Sequence, residues 1–131
     1  RVFDLLNNNL KNKKICFLGV TFKANTDDMR DSSSLHMIPS LVKKGAKINY
    51  YDPTGPKDEF KKNKHVQSSK DISSAIYNAD MIIVHTEWND FKSIDFKKEV
   101  KNKNFILFDM RNLYSISKMK ENKIKYFGVG F

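Results

Sequence analysis

The side chains best suited to hold an anionic ligand in this 131-residue chain are its few arginines. Only three of the 24 basic residues are arginine, and two of them, Arg30 and Arg111, lie in polar segments that follow apolar runs. A guanidinium can bind phosphate or carboxylate through two parallel hydrogen bonds, which an ammonium cannot reproduce. Because the chain uses lysine for its other positive charges, these positions favour contact with a ligand or another domain. The alternative is that each arginine pairs with a nearby aspartate and braces its loop.

The segment around Arg30 carries further groups that could contact a ligand. It begins as an apolar run at 15–20 and becomes a polar loop with Phe22, Lys23 and two adjacent aspartates, before serines that could cap a helix. A short unbroken apolar run is typical of a strand buried on both faces of a parallel sheet. Ligands of such sheets bind outside the carboxyl ends of the strands. This unit is therefore a candidate ligand loop, with a solvated connection as the alternative.

Catalytic and metal chemistry finds little support in the sequence. The three histidines lack metal-ligand spacing, and no Ser-His-Asp arrangement can be argued. Cys16 lies within the apolar run, where we predict a buried and inert thiol. Gly19 is the only glycine of the first strand-to-helix turn, whereas the dinucleotide fingerprint needs three. We therefore predict no catalytic residue, no metal site and no main dinucleotide cradle in this chain.

Strand patterns alternate with helix patterns along the chain. We predict strands at 14–20, 47–51, 65–67, 80–85, 104–108 and 123–127. We predict helices at 1–9, 33–44, 57–63, 71–77, 95–101 and 115–121. This alternation predicts an α/β fold, a Rossmann-like parallel sheet with helices on both faces in a single domain. The polar segments 21–30, 86–91 and 109–114 each follow a strand, so we expect them to meet at one edge of the sheet.

Composition gives weaker evidence on the class of protein than the polar segments do. The net charge is +9, but the lysines are scattered and have no aromatic residues interleaved, so we prefer a solvated surface to a nucleic-acid interface. No apolar stretch approaches the roughly 20 residues that a membrane span needs. One cysteine cannot form an internal disulfide, which fits a reducing cytoplasm. The chain starts at Arg1 within a helical pattern, and we expect it to be part of a longer protein.

One long motif resembles a known family. The segment 15–32, Ile-Cys-Phe-Leu-Gly-Val-Thr-Phe-Lys-Ala-Asn-Thr-Asp-Asp-Met-Arg-Asp-Ser, is similar to the LGxxFKxxTDDxRxS signature of the UDP-glucose/GDP-mannose dehydrogenase family. Later motifs of the family's C-terminal domain follow in order: Tyr51-Asp52-Pro53, Ala79-Asp80, Thr86-Glu87-Trp88 with Phe91, Phe108-Asp109-Met110-Arg111-Asn112 and the ending Gly128-Val129-Gly130. The resemblance covers nearly the whole chain.

The resemblance implies the last part of a three-part enzyme. Residues 1–12 would be the end of a connecting helix from a missing central domain, and 13–131 a Rossmann-like C-terminal domain that binds the UDP part of a UDP-sugar. NAD would be bound mainly by an N-terminal domain absent from this chain. The family oxidises a sugar C6 alcohol to a carboxylate in two NAD-dependent steps, through a thiohemiacetal on a cysteine of the central domain. We therefore expect the isolated domain to be inactive.

The resemblance also assigns residues. Phe22, Lys23 and Arg111 match substrate-binding positions, and Arg30 matches an arginine that reaches NAD across the domain interface. The Thr-Glu-Trp and Asp-Met-Arg-Asn motifs are most similar to the family's UDP-glucose 6-dehydrogenases. The same domain of a GDP-mannose or UDP-N-acetylmannosamine dehydrogenase is the alternative, and a basic, non-enzymatic nucleic-acid-binding α/β module is the alternative from another class. We expect a cytoplasmic homodimer or higher homo-oligomer with no nucleic acid or membrane partner.

Overall fold

The unbroken apolar runs form the centre of a six-stranded parallel sheet. The computed structural model describes residues 2–129. The strands are β1 (Lys14–Leu18), β2 (Lys47–Tyr51), β3 (Val66–Ser68), β4 (Met81–Val84), β5 (Ile106–Asp109) and β6 (Lys125–Gly128). Their spatial order is β3-β2-β1-β4-β5-β6, the order of a Rossmann sheet. The predicted parallel α/β fold is confirmed.

Within residues 2–129, five α-helices connect or flank these strands. They are α1 (Val2–Leu5), α2 (Ser34–Lys43), α3 (Ile72–Ile76), α4 (Phe96–Glu99) and α5 (Ile116–Glu121). Single 3₁₀ turns lie at Asp58–Phe60 and Asn89–Phe91. The side chains of Asp71 and Asp95 accept hydrogen bonds from the first turns of α3 and α4, as residues at this position commonly do.

The sheet separates two hydrophobic cores. Successive side chains of a strand point to opposite faces, so β1 sends Phe17 into one core and Cys16 and Leu18 into the other. Helices α1 and α2 cover the first face, and α3, α4 and α5 cover the second. The prediction of helices on both faces is therefore confirmed. Burial on both sides explains why β1 and β4 have no polar alternation.

Several predicted boundaries are wrong at their ends. The predicted helix 1–9 stops at Leu5, because Asn7 and Asn8 adopt positive φ angles of 57° and 58°, which asparagine tolerates better than most residues. Strand β1 ends at Leu18 rather than residue 20, since Gly19 turns the chain. The helix predicted at 57–63 is one 3₁₀ turn, and the turn at Asn89–Phe91 was not predicted. The ends of the predicted domain ranges, Arg1 and Phe131, and Gly130 of the final motif lie outside the described residues.

Cys16 provides a test of the second core. Its side chain is 1% exposed, and burial raises the pKa of the thiol. We expect Cys16→Ser to lower the free energy of unfolding by about 1–3 kcal/mol, because it places a hydroxyl in an apolar site. Urea denaturation would measure this, with Cys16→Ala as the control that removes sulfur without adding a polar group. Equal stability of the serine variant and the wild type would contradict an apolar environment.

Candidate ligand site at the carboxyl edge of the sheet

The three polar segments predicted to meet do so above β1, β4 and β5. The Thr86 hydroxyl, after β4, donates to the Thr21 carbonyl oxygen after β1 at 3.1 Å. Arg111, after β5, donates from Nε to the His85 carbonyl oxygen at 3.0 Å. These bonds join neighbouring loops directly. The loops therefore form one connected surface at the carboxyl edge of the sheet, where parallel sheets bind ligands.

Gly19 allows the first two loops to approach so closely. Its φ of +78° is unfavourable for residues with a side chain. A Cβ atom there would lie 2.5 Å from the Thr86 Cβ and 2.7 Å from its Oγ1. The glycine is thus needed for packing against Thr86. The residues at this turn do not fit the three-glycine cradle of a dinucleotide pyrophosphate.

The base of the first loop is closed by buried polar groups. The Val20 N–H donates to a carboxylate oxygen of buried Asp52 at 2.9 Å. The Val20 carbonyl oxygen accepts hydrogen bonds from the Ser32 and Ser34 hydroxyls, both at 2.6 Å. The residue at the cap position of α2, Ser33, makes no capping bond to the helix. Ser32 and Ser34 therefore close the loop, and the Ser32 hydroxyl also accepts a hydrogen bond from the Ser34 N–H in the first turn of α2 at 3.3 Å.

Arg30 is braced within its own loop. Its Nε and Nη2 donate to the two carboxylate oxygens of Asp28 at 3.1 and 3.0 Å. This hydrogen-bonded pair lowers the pKa of Asp28. The Arg30 side chain is nevertheless 89% exposed. The aspartate-pairing alternative therefore describes Arg30 in this structure, while its exposure leaves it accessible from outside the chain.

Arg111 is held in a different way. Besides the bond to His85, its Nη2 donates to the Phe22 carbonyl oxygen at 3.3 Å. Both acceptors are uncharged. Within residues 2–129 the one ion pair is Arg30–Asp28, so no described carboxylate neutralises the Arg111 guanidinium. Its positive charge is therefore fixed in position and available to an anion.

The other predicted substrate residues adjoin this guanidinium along the chain. Phe22 is 47% exposed, so its ring is accessible to a ligand. Lys23 follows it and is exposed, and its carbonyl oxygen accepts a bond from the Thr21 hydroxyl at 3.0 Å. Arg111 thus lies against the backbone of the Phe22-Lys23 segment, whereas Arg30 bonds only to Asp28 among the contacts described.

Asp109 supports Arg111, whereas the sequence indicated it only as one of several aspartates that could pair with an arginine and brace a loop. Its side chain is fully buried and accepts hydrogen bonds from the Arg111 N–H at 3.1 Å, the Tyr114 N–H at 3.1 Å and the Tyr126 hydroxyl at 2.6 Å. The carboxylate thereby fixes the loop after β5. Its position directly after an apolar strand was the available signal, but the partner on β6 could not be identified from the sequence.

His85 is a second buried support. It is 2% exposed, and its ring nitrogens lie 2.8 Å from the Ser33 hydroxyl and 3.1 Å from the Thr86 hydroxyl. Burial, with a smaller contribution from the Arg111 guanidinium, lowers the pKa of His85 from 6.5 to about 4. The imidazole is therefore neutral near pH 7. It connects the loops after β1 and β4 as a hydrogen-bonding group.

The Rossmann-like sheet and the arginine at its carboxyl edge, which no described carboxylate pairs with, suit the binding of an anionic ligand. A family model described as "UDP-glucose/GDP-mannose dehydrogenase family, UDP binding domain" matches residues 16–116. The chain belongs to the UDP-glucose/GDP-mannose dehydrogenase family. The resemblance found in the motifs is thus confirmed.

Individual relatives agree with this assignment. The chain is 33% identical to UDP-glucose 6-dehydrogenase of Rhizobium meliloti over 131 residues, covering 99% of the chain and 30% of that protein. It is 33% identical to the UDP-glucose 6-dehydrogenase of Gallus gallus, covering 86% of the chain and 26% of that protein. The chain therefore spans about a third or less of the length of these relatives.

Solved structures show the same fold. An NDP-N-acetyl-D-galactosaminuronic acid dehydrogenase from Methanosarcina mazei matches with a TM-score of 0.81 and 23% identity, covering 98% of this chain and 26% of that one. A UDP-glucose dehydrogenase from Pyrobaculum islandicum matches with a TM-score of 0.76 and 23% identity, covering 99% and 28%. At this identity the similarity supports the fold alone.

Two kinds of feature are absent from the described part of the chain. Within residues 2–129, no helix is both long enough and apolar enough to cross a membrane. Across the same residues, no three histidine, cysteine or acidic side chains are grouped as metal ligands would be.

The depressed pKa of His85 predicts a pH dependence of stability. A base whose pKa is lower in the folded state stabilises the fold fully above its unfolded pKa of 6.5, and this contribution is lost as the pH falls toward 4. Between about pH 7 and pH 5 we expect His85 to account for a loss of about 2 kcal/mol in the free energy of unfolding. The His85→Asn variant should lack this part of the loss.

Urea denaturation at both pH values would measure the effect. His36→Asn is the matched control, because it makes the same substitution at an exposed position on α2. An identical pH dependence in His85→Asn and wild type would show that His85 is not buried as a neutral group.

Proposed function

We propose that this chain is the UDP-sugar-binding, C-terminal domain of an NAD-dependent UDP-glucose 6-dehydrogenase. The whole enzyme would convert UDP-glucose to UDP-glucuronate by two-step oxidation at C6 of the sugar. The observation that carries the ligand-binding part is the Arg111 guanidinium, held by two carbonyl oxygens with no described carboxylate to neutralise it. The names of the sequence relatives support the choice of UDP-glucose.

Phe22, Lys23 and Arg111 would contact the substrate. Arg111 uses Nε and Nη2 for its carbonyl partners, so its other N–H groups remain for a phosphate oxygen. The Lys23 ammonium adds a second positive charge to the same segment, and the half-exposed Phe22 ring offers an apolar face. Guanidinium, ammonium and aromatic ring together suit a ligand with a diphosphate and a flat base.

Arg30 would contact NAD across the interface with another domain. Its exposed guanidinium can reach beyond the chain while Asp28 fixes its direction. NAD, which would accept the hydride, would be held mainly by a domain absent from this chain, because the turn at Gly19 does not fit the dinucleotide cradle. This assignment gives the two arginines separate roles that can be measured separately.

The domain limits and assembly of the enzyme are part of the same proposal. Residues 1–12 would end a connecting helix and 13–131 would form the UDP-sugar domain. Cys16 lies in the central strand β1 and is buried in the hydrophobic core on one face of the sheet. Its thiol therefore cannot act as the nucleophile, and the isolated chain should not reduce NAD. The enzyme would be a cytoplasmic homodimer or higher homo-oligomer. Family membership favours this function over a nucleic-acid-binding module.

The first test is binding of UDP to the chain. We expect saturable binding by calorimetry. Arg111→Lys should weaken the binding free energy by about 1–3 kcal/mol, because lysine keeps the charge but cannot form the two parallel hydrogen bonds of a guanidinium. Arg30→Lys is the matched control and should bind UDP as the wild type does. GDP tested in parallel separates UDP-sugar enzymes from a GDP-mannose dehydrogenase. Wild-type UDP affinity in Arg111→Lys would remove Arg111 from the site.

The second test uses the full-length enzyme. Arg111→Lys should lower kcat/KM with UDP-glucose varied, by roughly 1–3 kcal/mol of transition-state stabilisation. Arg30→Lys should instead weaken the response to NAD. Melting temperatures of both variants would show whether folding has changed. If both keep wild-type kinetics and only melt earlier, the arginines are loop braces and the assignment is wrong.

A further inference from the structure

A cleft lies at the opposite edge of the sheet from the ligand loops. It has a volume of about 400 Å³. Lys14 and Lys47 are the first residues of β1 and β2, and Lys64 lies two residues before β3. The cleft therefore lies at the amino ends of three adjacent strands. The proposed UDP-sugar site lies at their carboxyl ends, so the two sites are distinct.

The charge of this cleft is entirely positive. Three lysines and His65 line it, and none of the lining residues is acidic. No carboxylate in residues 2–129 forms an ion pair with Lys14, Lys47 or Lys64. Asp80, which follows the lining residue Ala79, is occupied by the Lys14 N–H at 2.9 Å and the Asn102 side-chain amide at 3.0 Å. The lysine charges are therefore available to an anion.

The remaining lining residues form an uncharged wall. Ala75 and Ala79, at the end of α3 and just after it, line the cleft with each residue 3% exposed, and Gln67 and Asn78 contribute exposed amides. The Asn49 amide is already engaged, since it donates to the Ala75 carbonyl oxygen at 3.2 Å and accepts from Ser69 at 2.6 Å. Its bonds keep the wall in place. The volume lies within the range of roughly 300–1,000 Å³ that is usual for small-molecule sites.

We propose that this cleft binds a phosphate-bearing small molecule of about mononucleotide size. The phosphate would lie against Lys47 and Lys64, and the uncharged part against the Ala75–Ala79 wall. The bounded volume and the apolar wall favour such a ligand over a nucleic-acid strand, which would need an extended basic track. The inference depends on the cleft alone and does not require the proposed dehydrogenase function.

Adenosine monophosphate is a suitable probe, because it lacks the uracil and the diphosphate of the ligand proposed for the carboxyl edge. We expect saturable binding to the chain by calorimetry at about 0.15 M salt, with weaker binding of inorganic phosphate and of adenosine. Lys47→Gln combined with Lys64→Gln should lower the affinity on the order of tenfold or more, because two charged hydrogen bonds are lost. All these lysines are exposed, so the variant should fold.

The matched control removes the same charge elsewhere. Lys118→Gln combined with Lys120→Gln alters exposed lysines on α5, which precedes the opposite edge strand β6 and does not line the cleft, and should change the affinity by less than about twofold, since strands β1 and β6 are about 14 Å apart and charges beyond a Debye length are screened. The cleft variant should bind UDP normally, and Arg111→Lys should bind adenosine monophosphate normally. These crossed measurements distinguish failure of this proposal from failure of the proposed function.

Four results would overturn the proposal. They are absence of saturable adenosine monophosphate binding, equal losses in the cleft and control variants, adenosine binding as tightly as its monophosphate, and tighter binding of a uridine-free RNA oligonucleotide with a steep salt dependence, which would indicate a polyanion surface.

Discussion

The contact between Gly19 and Thr86 is the constraint on which the candidate site depends. A side chain at residue 19 would need the space that the Thr86 side chain occupies, so the loops after β1 and β4 can meet only with glycine there. Thr86 then reaches the Thr21 carbonyl oxygen, and His85 beside it reaches Ser33. Removal of this contact would separate the two carbonyl oxygens that hold Arg111. The geometry of an exposed charge is thus fixed by packing beneath it.

The two loop arginines illustrate how one residue type can have different functions on one surface. Arg30 is paired with a carboxylate two residues away, and such an exposed local pair contributes little to stability. Arg111 instead joins the loops after β1 and β4 through neutral acceptors and keeps its charge. A paired guanidinium has less attraction left for an anion than an unpaired one. The difference favours Arg111 over Arg30 as the main anion contact of this chain.

The sequence predicted the sheet and the edge on which the site lies, because both depend on local patterns. Unbroken apolar runs indicate buried parallel strands, and polar segments after them indicate their carboxyl ends. Asp109, His85 and Tyr126 were not assigned to the site, since their roles depend on partners 17 to 52 residues away. The end of the first helix was also misplaced, because Asn7 and Asn8 adopt positive φ angles that the apolar pattern does not indicate. Long-range hydrogen bonds and residues with positive φ angles therefore account for most of the features that the sequence patterns did not predict.

The many lysines and the fixed guanidinium of Arg111 act over different distances. A net charge of +9 attracts any anion toward the surface, but at physiological salt this attraction is screened beyond about 8 Å and does not distinguish one anion from another. Selection requires donors with a fixed direction, which mobile ammonium groups on long side chains do not provide. Arg111 has such a direction, because the His85 and Phe22 carbonyl oxygens hold its side chain and Asp109 holds its backbone. Recognition at the carboxyl edge should therefore depend on this buried support more than on the overall charge of the chain.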